Sequence, residues 1–317
     1  MIRTEHLEKQ FGDFTAVRNL SITIREGEIY GFLGPNGAGK TTTINMLLGI
    51  LKPTSGSIFF GGRPVGKGDL AIRRNIGVVP ENHPRGMWKW MTAWEYLQFF
   101  ADMFCVKQAD ARIGKLLESI NLGDSAHKYI NEFSRGMLQK LSFARALLHN
   151  PKVLVLDEPI SGLDPLGVRQ IRDLLEAENR NGRTILVSSH LLSEIEKICH
   201  RVAIISDGNL LSEDSKEKLL GNVQKDRDIY IELEHVAEAL PGQLLSLAFI
   251  LDVQLLEAGS GVRIKVPRDK DFRKQITEFL MHHNHVPLSI QENITSLEDA
   301  FITITRENIK TLASIGE

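Results

Sequence analysis

The sequence predicts an α/β protein: a layered domain built on a buried sheet, followed by a smaller α+β domain. Three observations carry this. Strand-like apolar runs alternate with helix-like segments up to about residue 215. A glycine-rich loop joins one of those strands to a helix at residues 34–41. After Gly221 the texture changes, with shorter elements in a different order.

The buried strands are expected at 28–33, 76–79, 153–156, 184–188 and 202–206. Between about 88 and 150 the pattern is helical, so this block reads as a subdomain inserted between two core strands. Thr92-Ala-Trp-Glu95 is a capping box that opens one helix there, and Asn150-Pro151 closes another. The charged stretch 224–228 is expected to be a linker. Beyond it, Ile229, Ile231 and Leu233 alternate as a strand, and 253–256, Val262 to Val266 and 286–290 are extended. A helical run follows Leu233 before Val253, another spans 269–282, and Ser296-Leu-Glu-Asp299 is a second capping box that opens a last helix. Strand-helix-strand-strand-helix-strand is a ferredoxin-like order. The expected boundaries are 1–220, 226–308 and a tail at 309–317.

Length and composition bound the function. A chain of 317 residues accommodates one large domain and a smaller one. A formal charge of −2 offers no basic face, so no nucleic-acid partner is expected. Cys105 and Cys199 lie far apart, without metal-ligand spacing, and fit a reducing cytoplasm. No signal-peptide pattern is read at the N-terminus, and no stretch approaches the roughly 20 apolar residues of a membrane span. A membrane role is therefore expected to come through a partner.

Gly34-Pro-Asn-Gly-Ala-Gly39-Lys40-Thr41 is a phosphate loop in its required strand-loop-helix setting. The glycines let successive N–H groups turn inward around phosphate oxygens, and the helix N-terminus adds positive dipole character. Lys40 would reach the β- and γ-phosphates and Thr41 would offer its hydroxyl to Mg²⁺. Val153-Leu-Val-Leu-Asp157-Glu158-Pro159 is an apolar strand ending in two acids. Such a strand delivers carboxylates to the ligand-binding edge of a sheet. Asp157 suits the metal shell and Glu158 suits a general base acting on water. Alone, the two acids could simply cap a strand.

Between these motifs, Phe133-Ser134-Arg135-Gly136-Met137 resembles the signature loop of ABC (ATP-binding cassette) ATPases. Ser161-Gly-Leu-Asp164 resembles the D-loop of that family. His190 resembles the switch histidine that contacts the γ-phosphate, and Phe11 the aromatic that stacks on adenine. A lone histidine or phenylalanine is more often structural; order and spacing promote these two. The resemblance covers about residues 1–220. It implies a P-loop NTPase cassette: a RecA-like core, an antiparallel β subdomain and an inserted helical subdomain. It implies ATP and Mg²⁺, with nucleotide contacts from Phe11, Gly34, Pro35, Asn36, Gly37, Ala38, Gly39, Lys40, Thr41, Thr42, Ser134 and Gly136. Metal contacts would come from Thr41, Glu81 and Asp157, chemistry from Lys40, Glu158 and His190, and dimer coupling from Asp164. The family works as head-to-tail dimers, here a homodimer or a paralogous heterodimer, bound to an integral membrane permease. That places the chain at the inner face of the membrane.

The chain departs from the family pattern in three places. Glu81 stands where most members carry glutamine, and Arg135 and Met137 replace a glycine and a glutamine of the signature. The signature variations and Thr295-Ser-Leu-Glu-Asp-Ala-Phe301 resemble the type-two exporter subfamily, so export is the expected direction. The alternative is a soluble ABC ATPase acting on ribosomes or DNA. The single cassette and the short gap from Lys40 to Ser134 argue against it. A GTPase would need an Asn-Lys-x-Asp motif, which is absent. Trp88, Trp90 and Trp94 suit either a partner surface or packing of the helical subdomain. His282, His283 and His285 read as a solvated helix end rather than a metal site.

Overall fold

The computed structural model describes residues 1–66, 73–81, 88–190, 196–223, 226–237, 239–256, 260–267 and 270–293. The chain opens with β1 (Ile2–Phe11), β2 (Phe14–Leu20) and β3 (Thr23–Ile24), then β4 (Ile29–Leu33) and α1 (Lys40–Leu47). Next come β5 (Ser55–Phe60), β6 (Arg63–Pro64) and β7 (Ile76–Val79). Helices α2 (Ala93–Met103), α3 (Ala109–Ser119) and α4 (Arg135–Leu147) fill the interval before β8 (Val153–Asp157). The unit continues with α5 (Pro165–Arg180), β9 (Thr184–Ser189), β10 (Arg201–Ser206) and β11 (Asn209–Ser215).

Two sheets organise this part. An antiparallel one runs β2-β1-β5-β6, with β3 on β1. The other runs β11-β10-β4-β9-β8-β7, parallel throughout except at its β11 edge. Every residue of β4, β8 and β9 is buried. That explains their unbroken apolar runs, since a parallel sheet is covered on both faces. One core joins the two sheets: Leu7, Val17 and Leu20 pack with Tyr30, Phe32, Met46, Val155 and Leu186. The expected strands match these to within a residue or two at their ends, the usual spread of element boundaries. The Thr92 capping box forms as read: Thr92 Oγ1 accepts from Glu95 N at 3.2 Å and Thr92 N donates to Glu95 Oε2 at 2.8 Å.

The contacts divide the chain into two units, one over Met1–Lys216 and one beginning at Glu217. The division falls inside α6 (Lys216–Val223). The second unit holds β12 (Asp226–Leu233), α7 (Leu240–Leu245), β13 (Asp252–Leu255), β14 (Gly261–Pro267), α8 (Arg273–His282) and β15 (Pro287–Asn293). Its sheet runs β13-β14-β12-β15, every pair antiparallel, around Ile229, Ile231, Val262, Ile264, Leu244 and Leu280. Elements and strand order are those of a ferredoxin-like fold.

The charged linker is a correction. Asp226, Arg227 and Asp228 are paired to Pro267, Val266 and Lys265, so β12 starts inside the charged run. Pairing of the charges permits it: Arg263 Nη2 lies 2.8 Å from Asp228 Oδ2, and Arg227 Nη1 lies 3.4 Å from Glu292 Oε1. Residues 224–225, the helix expected at Ser296, the Thr295–Phe301 motif and the tail 309–317 lie outside the described residues.

Candidate active site

The loop 34–39 leaves the carboxyl end of β4 and enters α1. Glycine is required at two of its positions by close approach. Gly39 caps α1 with φ 99°, and a Cβ there would lie 2.5 Å from the Ala16 carbonyl oxygen on β2. A Cβ on Gly34 would lie 2.4 Å from the Ile205 carbonyl oxygen on β10. The loop is therefore clamped between the two sheets. Helix α1 has no side-chain cap and no acidic residue in its first turn. Its first N–H groups and dipole remain available to an anion.

Lys40 is only 6% exposed. Its Nζ donates to the carbonyls of Gly34 at 2.7 Å and Pro35 at 3.2 Å. It also lies 3.2 Å from Glu158 Oε1 as an ion pair. The other Glu158 oxygen, Oε2, sits 2.8 Å from His190 Nδ1. Register explains the convergence: β4, β9 and β8 are neighbours, so their carboxyl ends bring residues 34–40, 190 and 157–158 to one edge. Asp157 and Glu158 are both buried at the end of β8. Two buried carboxylates are costly without a cation beside them, and Lys40 supplies one. Glu158 adopts φ 48°, a left-handed conformation uncommon outside glycine.

Asp157 and Thr41 fit a small, hard cation. Asp157 Oδ1 accepts from Ser188 Oγ at 2.5 Å. Among the described residues, Asp157 Oδ2 and the exposed Thr41 hydroxyl take no protein hydrogen bond. One carboxylate and one hydroxyl, completed by phosphate oxygens and water, is the donor set Mg²⁺ accepts. Glu81 stands exposed just after β7. It forms no three-carboxylate cluster with Asp157 and Glu158 among the described residues. Thr42 is half-buried in the first turn of α1, and Pro35, Asn36 and Gly37 are exposed while Ala38 is buried.

Ser134, Gly136 and Asp164 gather elsewhere. Ser134 caps α4, its Oγ accepting from Met137 N at 3.2 Å. Asp164 caps α5, accepting from Gly167 N at 2.7 Å. Together they line a groove of about 320 Å³ between α4 and α5, whose walls include neither Lys40 nor Glu158. A Cβ on Gly136 would meet nothing closer than 3.9 Å, so the chain's own packing does not demand glycine there. Gly162 is different: a Cβ would come within 2.6 Å of the Arg135 guanidinium.

Phe11 ends β1, 48% exposed, with Lys9 Nζ 4.9 Å from its ring centroid. The tryptophans divide. Trp88 packs on Tyr96, Phe99 and Phe100, and Trp94 stacks on His127, whereas Trp90 is 71% exposed. His283 turns back on its own helix, Nδ1 lying 2.9 Å from the Phe279 carbonyl. Ser188 was not among the sequence candidates, and its only signal is a hydroxyl closing an apolar strand two residues before His190.

A family model described as "ABC transporter" matches residues 17–161. Among curated relatives, the uncharacterized ABC transporter ATP-binding protein YhcH of Bacillus subtilis is 36% identical over 97% of this chain and 96% of its own length. The bacitracin transport ATP-binding protein BcrA of Bacillus licheniformis is 38% identical, covering 96% of this chain and 97% of its own. The linearmycin resistance ATP-binding protein LnrL of Bacillus subtilis is 32% identical over 98% of this chain and all of its own. Two solved structures are similar to this chain at 26% identity. The ADP conformation of MJ1267, an ABC transporter cassette, has a TM-score of 0.63 and covers 70% of this chain and 94% of its own. The dimeric cassette MJ0796 has a TM-score of 0.61 and covers 68% and 98%.

Proposed function

The chain belongs to the ABC transporter ATP-binding family, whose cassettes hydrolyse ATP to power transport, and on that premise we propose that it is the motor of a membrane exporter, working as a head-to-tail dimer on a permease. The observation that carries the chemistry is the meeting of Lys40, Glu158 and His190 at one edge of the parallel sheet.

In this reading Phe11 stacks on adenine and the loop 34–39 wraps the phosphates with its N–H groups. Lys40 turns from Glu158 to the β- and γ-phosphate oxygens. Thr41 and Asp157, with Glu81 nearby in sequence to β7, would hold Mg²⁺, which when bound neutralises developing phosphate charge. Glu158 accepts a proton from water as the water oxygen bonds to the γ-phosphorus and the bond to the β-phosphate oxygen breaks. His190 orients the Glu158 carboxylate through Oε2. Ser134 and Gly136 serve the partner's nucleotide, and Asp164 sits where that partner would press. Space for a Cβ at Gly136 supports an external contact as the reason for glycine.

No described helix is long and apolar enough to cross a membrane, so attachment is assigned to the permease, at the cytoplasmic face. An apolar groove of about 330 Å³ supports this; Leu47, Ile50, Val65, Phe100 and Phe104 are among its walls, with Ile50 70% exposed. The resistance function in one relative's name supports the outward direction. Residues 226–308 are assigned as an accessory domain. The test is Mg²⁺-dependent ATPase activity of the purified chain together with co-purification of a multi-span protein from membranes. Activity untouched by Lys40→Ala, or capture of ribosomes in place of a membrane protein, would overturn the proposal.

A further inference from the structure

Ser188 occupies the point where the metal-binding acid and the base meet the switch strand. It lies opposite Asp157 in the β8–β9 register and is fully buried. Its Oγ donates to Asp157 Oδ1 at 2.5 Å and accepts from the backbone N–H of Glu158 at 3.0 Å. The one hydroxyl thus uses its proton on one residue and a lone pair on the next. Its strand neighbours Leu186 and Val187 are apolar and buried, and Ser189 on its other side is buried as well.

Both partners need such a restraint. Holding Oδ1 fixes the plane of the Asp157 carboxylate and leaves Oδ2 as its oxygen without a protein hydrogen bond among the described residues. Glu158 adopts a left-handed φ of 48° directly after β8, and Ser188 receives its N–H. Just past the end of β9 stands His190, whose Nδ1 lies 2.8 Å from Glu158 Oε2. Residues 188 and 190, at and just past the end of β9, therefore grip Glu158 at both its backbone and its side chain.

We infer that Ser188 is a positioning residue that sets the orientation of Asp157 toward the metal and of Glu158 toward water. This rests on the proposed ATPase reading. A merely structural serine would contribute stability and nothing else. The two roles separate in metal dependence. Removing the hydrogen-bond partner that stands behind a metal ligand typically lowers metal affinity or activity by about 10–100-fold.

The test uses the full chain with Ser188→Ala, which removes the hydroxyl without adding volume, and Ser188→Thr, which keeps it. Mn²⁺ affinity of the nucleotide-loaded protein is measured by electron paramagnetic resonance. Binding of a fluorescent ATP analogue is measured without metal, and kcat and KM by phosphate release. For Ser188→Ala the expectation is metal-free nucleotide binding as in wild type, Mn²⁺ binding weakened about 10-fold, and kcat lowered about 10–100-fold with KM within about threefold. Ser188→Thr should recover most of the Mn²⁺ affinity. Wild-type Mn²⁺ affinity and kcat in Ser188→Ala, with only a lower melting temperature, would show a structural role alone. Weakening of metal-free nucleotide binding to the same degree as Mn²⁺ binding would overturn the inference as well. A wild type that neither binds nor hydrolyses ATP would instead sink the parent reading.

Discussion

Glu158→Gln tests the base and the resting ion pair at once. The carboxylate lies 3.2 Å from Lys40 Nζ and 2.8 Å from His190 Nδ1, with 6% side-chain exposure. At an effective dielectric of about 20, a charge pair at that distance attracts by about 5 kcal/mol, most of it offset by the desolvation of two buried ions. A γ-phosphate must compete with this carboxylate for the same ammonium. The amide keeps the shape and a hydrogen-bond acceptor but carries no charge and takes no proton. Loss of general-base assistance is worth about 10²–10⁴ in kcat, or about 3–5 kcal/mol of barrier. ATP affinity should hold or rise by up to about tenfold, about 1.4 kcal/mol, because the competitor for Lys40 is gone. Single-turnover hydrolysis measures the first effect and titration with a fluorescent analogue the second. Sedimentation with Mg-ATP should show a dimer that persists in the variant and decays in the wild type. A kcat within threefold of wild type, or an affinity loss above tenfold, would refute the assignment of Glu158 as base and resting partner of Lys40.

Gly39→Ala should cost about 1–3 kcal/mol in stability from the φ 99° conformation alone and abolish nucleotide binding by driving the loop off Ala16; unchanged affinity by calorimetry would contradict the clamp. Thr92→Ala should cost about 1 kcal/mol at neutral pH through loss of the α2 cap, read from thermal melts. The Thr92 backbone N–H and hydroxyl hold the Glu95 carboxyl below its ordinary range. A depressed carboxyl stabilises the fold above its unfolded pKa and loses that contribution as pH falls through the folded value. Melting temperature should thus fall more steeply in acid for wild type than for Glu95→Gln, which does not titrate, and parallel curves would count against the capping box. Lys40→Ala and Ser134→Ala should each be inactive, and a mixture with proven subunit exchange should regain turnover or occluded ATP, since one site of the mixed dimer carries neither lesion. No gain of either kind would speak against a site shared between chains.

Local chemistry was legible from the residues. The phosphate loop declares itself because only glycines at set offsets let a strand turn into a helix around an anion. The end of β8 declares itself because an apolar run stops at two acids. Thr92 and Glu95 cap a helix through contacts three residues apart. The second unit's strands were readable from alternation, but the start of β12 was not. Asp226 to Asp228 read as linker because their partners Arg263 and Glu292 lie 35 or more residues away. The tryptophans read as one cluster, and packing divided them.

What the sequence by itself determined is the inventory: a glycine-rich strand-to-helix loop, two acids closing an apolar strand, a histidine just after another strand and a serine-capped helix, each written in residues adjacent along the chain. What only the tertiary structure decided is the assembly. Sheet order β4-β9-β8 makes neighbours of strands far apart in sequence. It thereby puts Lys40 on Glu158, Glu158 on His190 and Ser188 under both acids. It also sends Ser134 and Asp164 to a separate groove. The reason is physical: burial and turn preferences act over a few residues, whereas hydrogen bonds and ion pairs between strands depend on register, which the packing of the whole core sets.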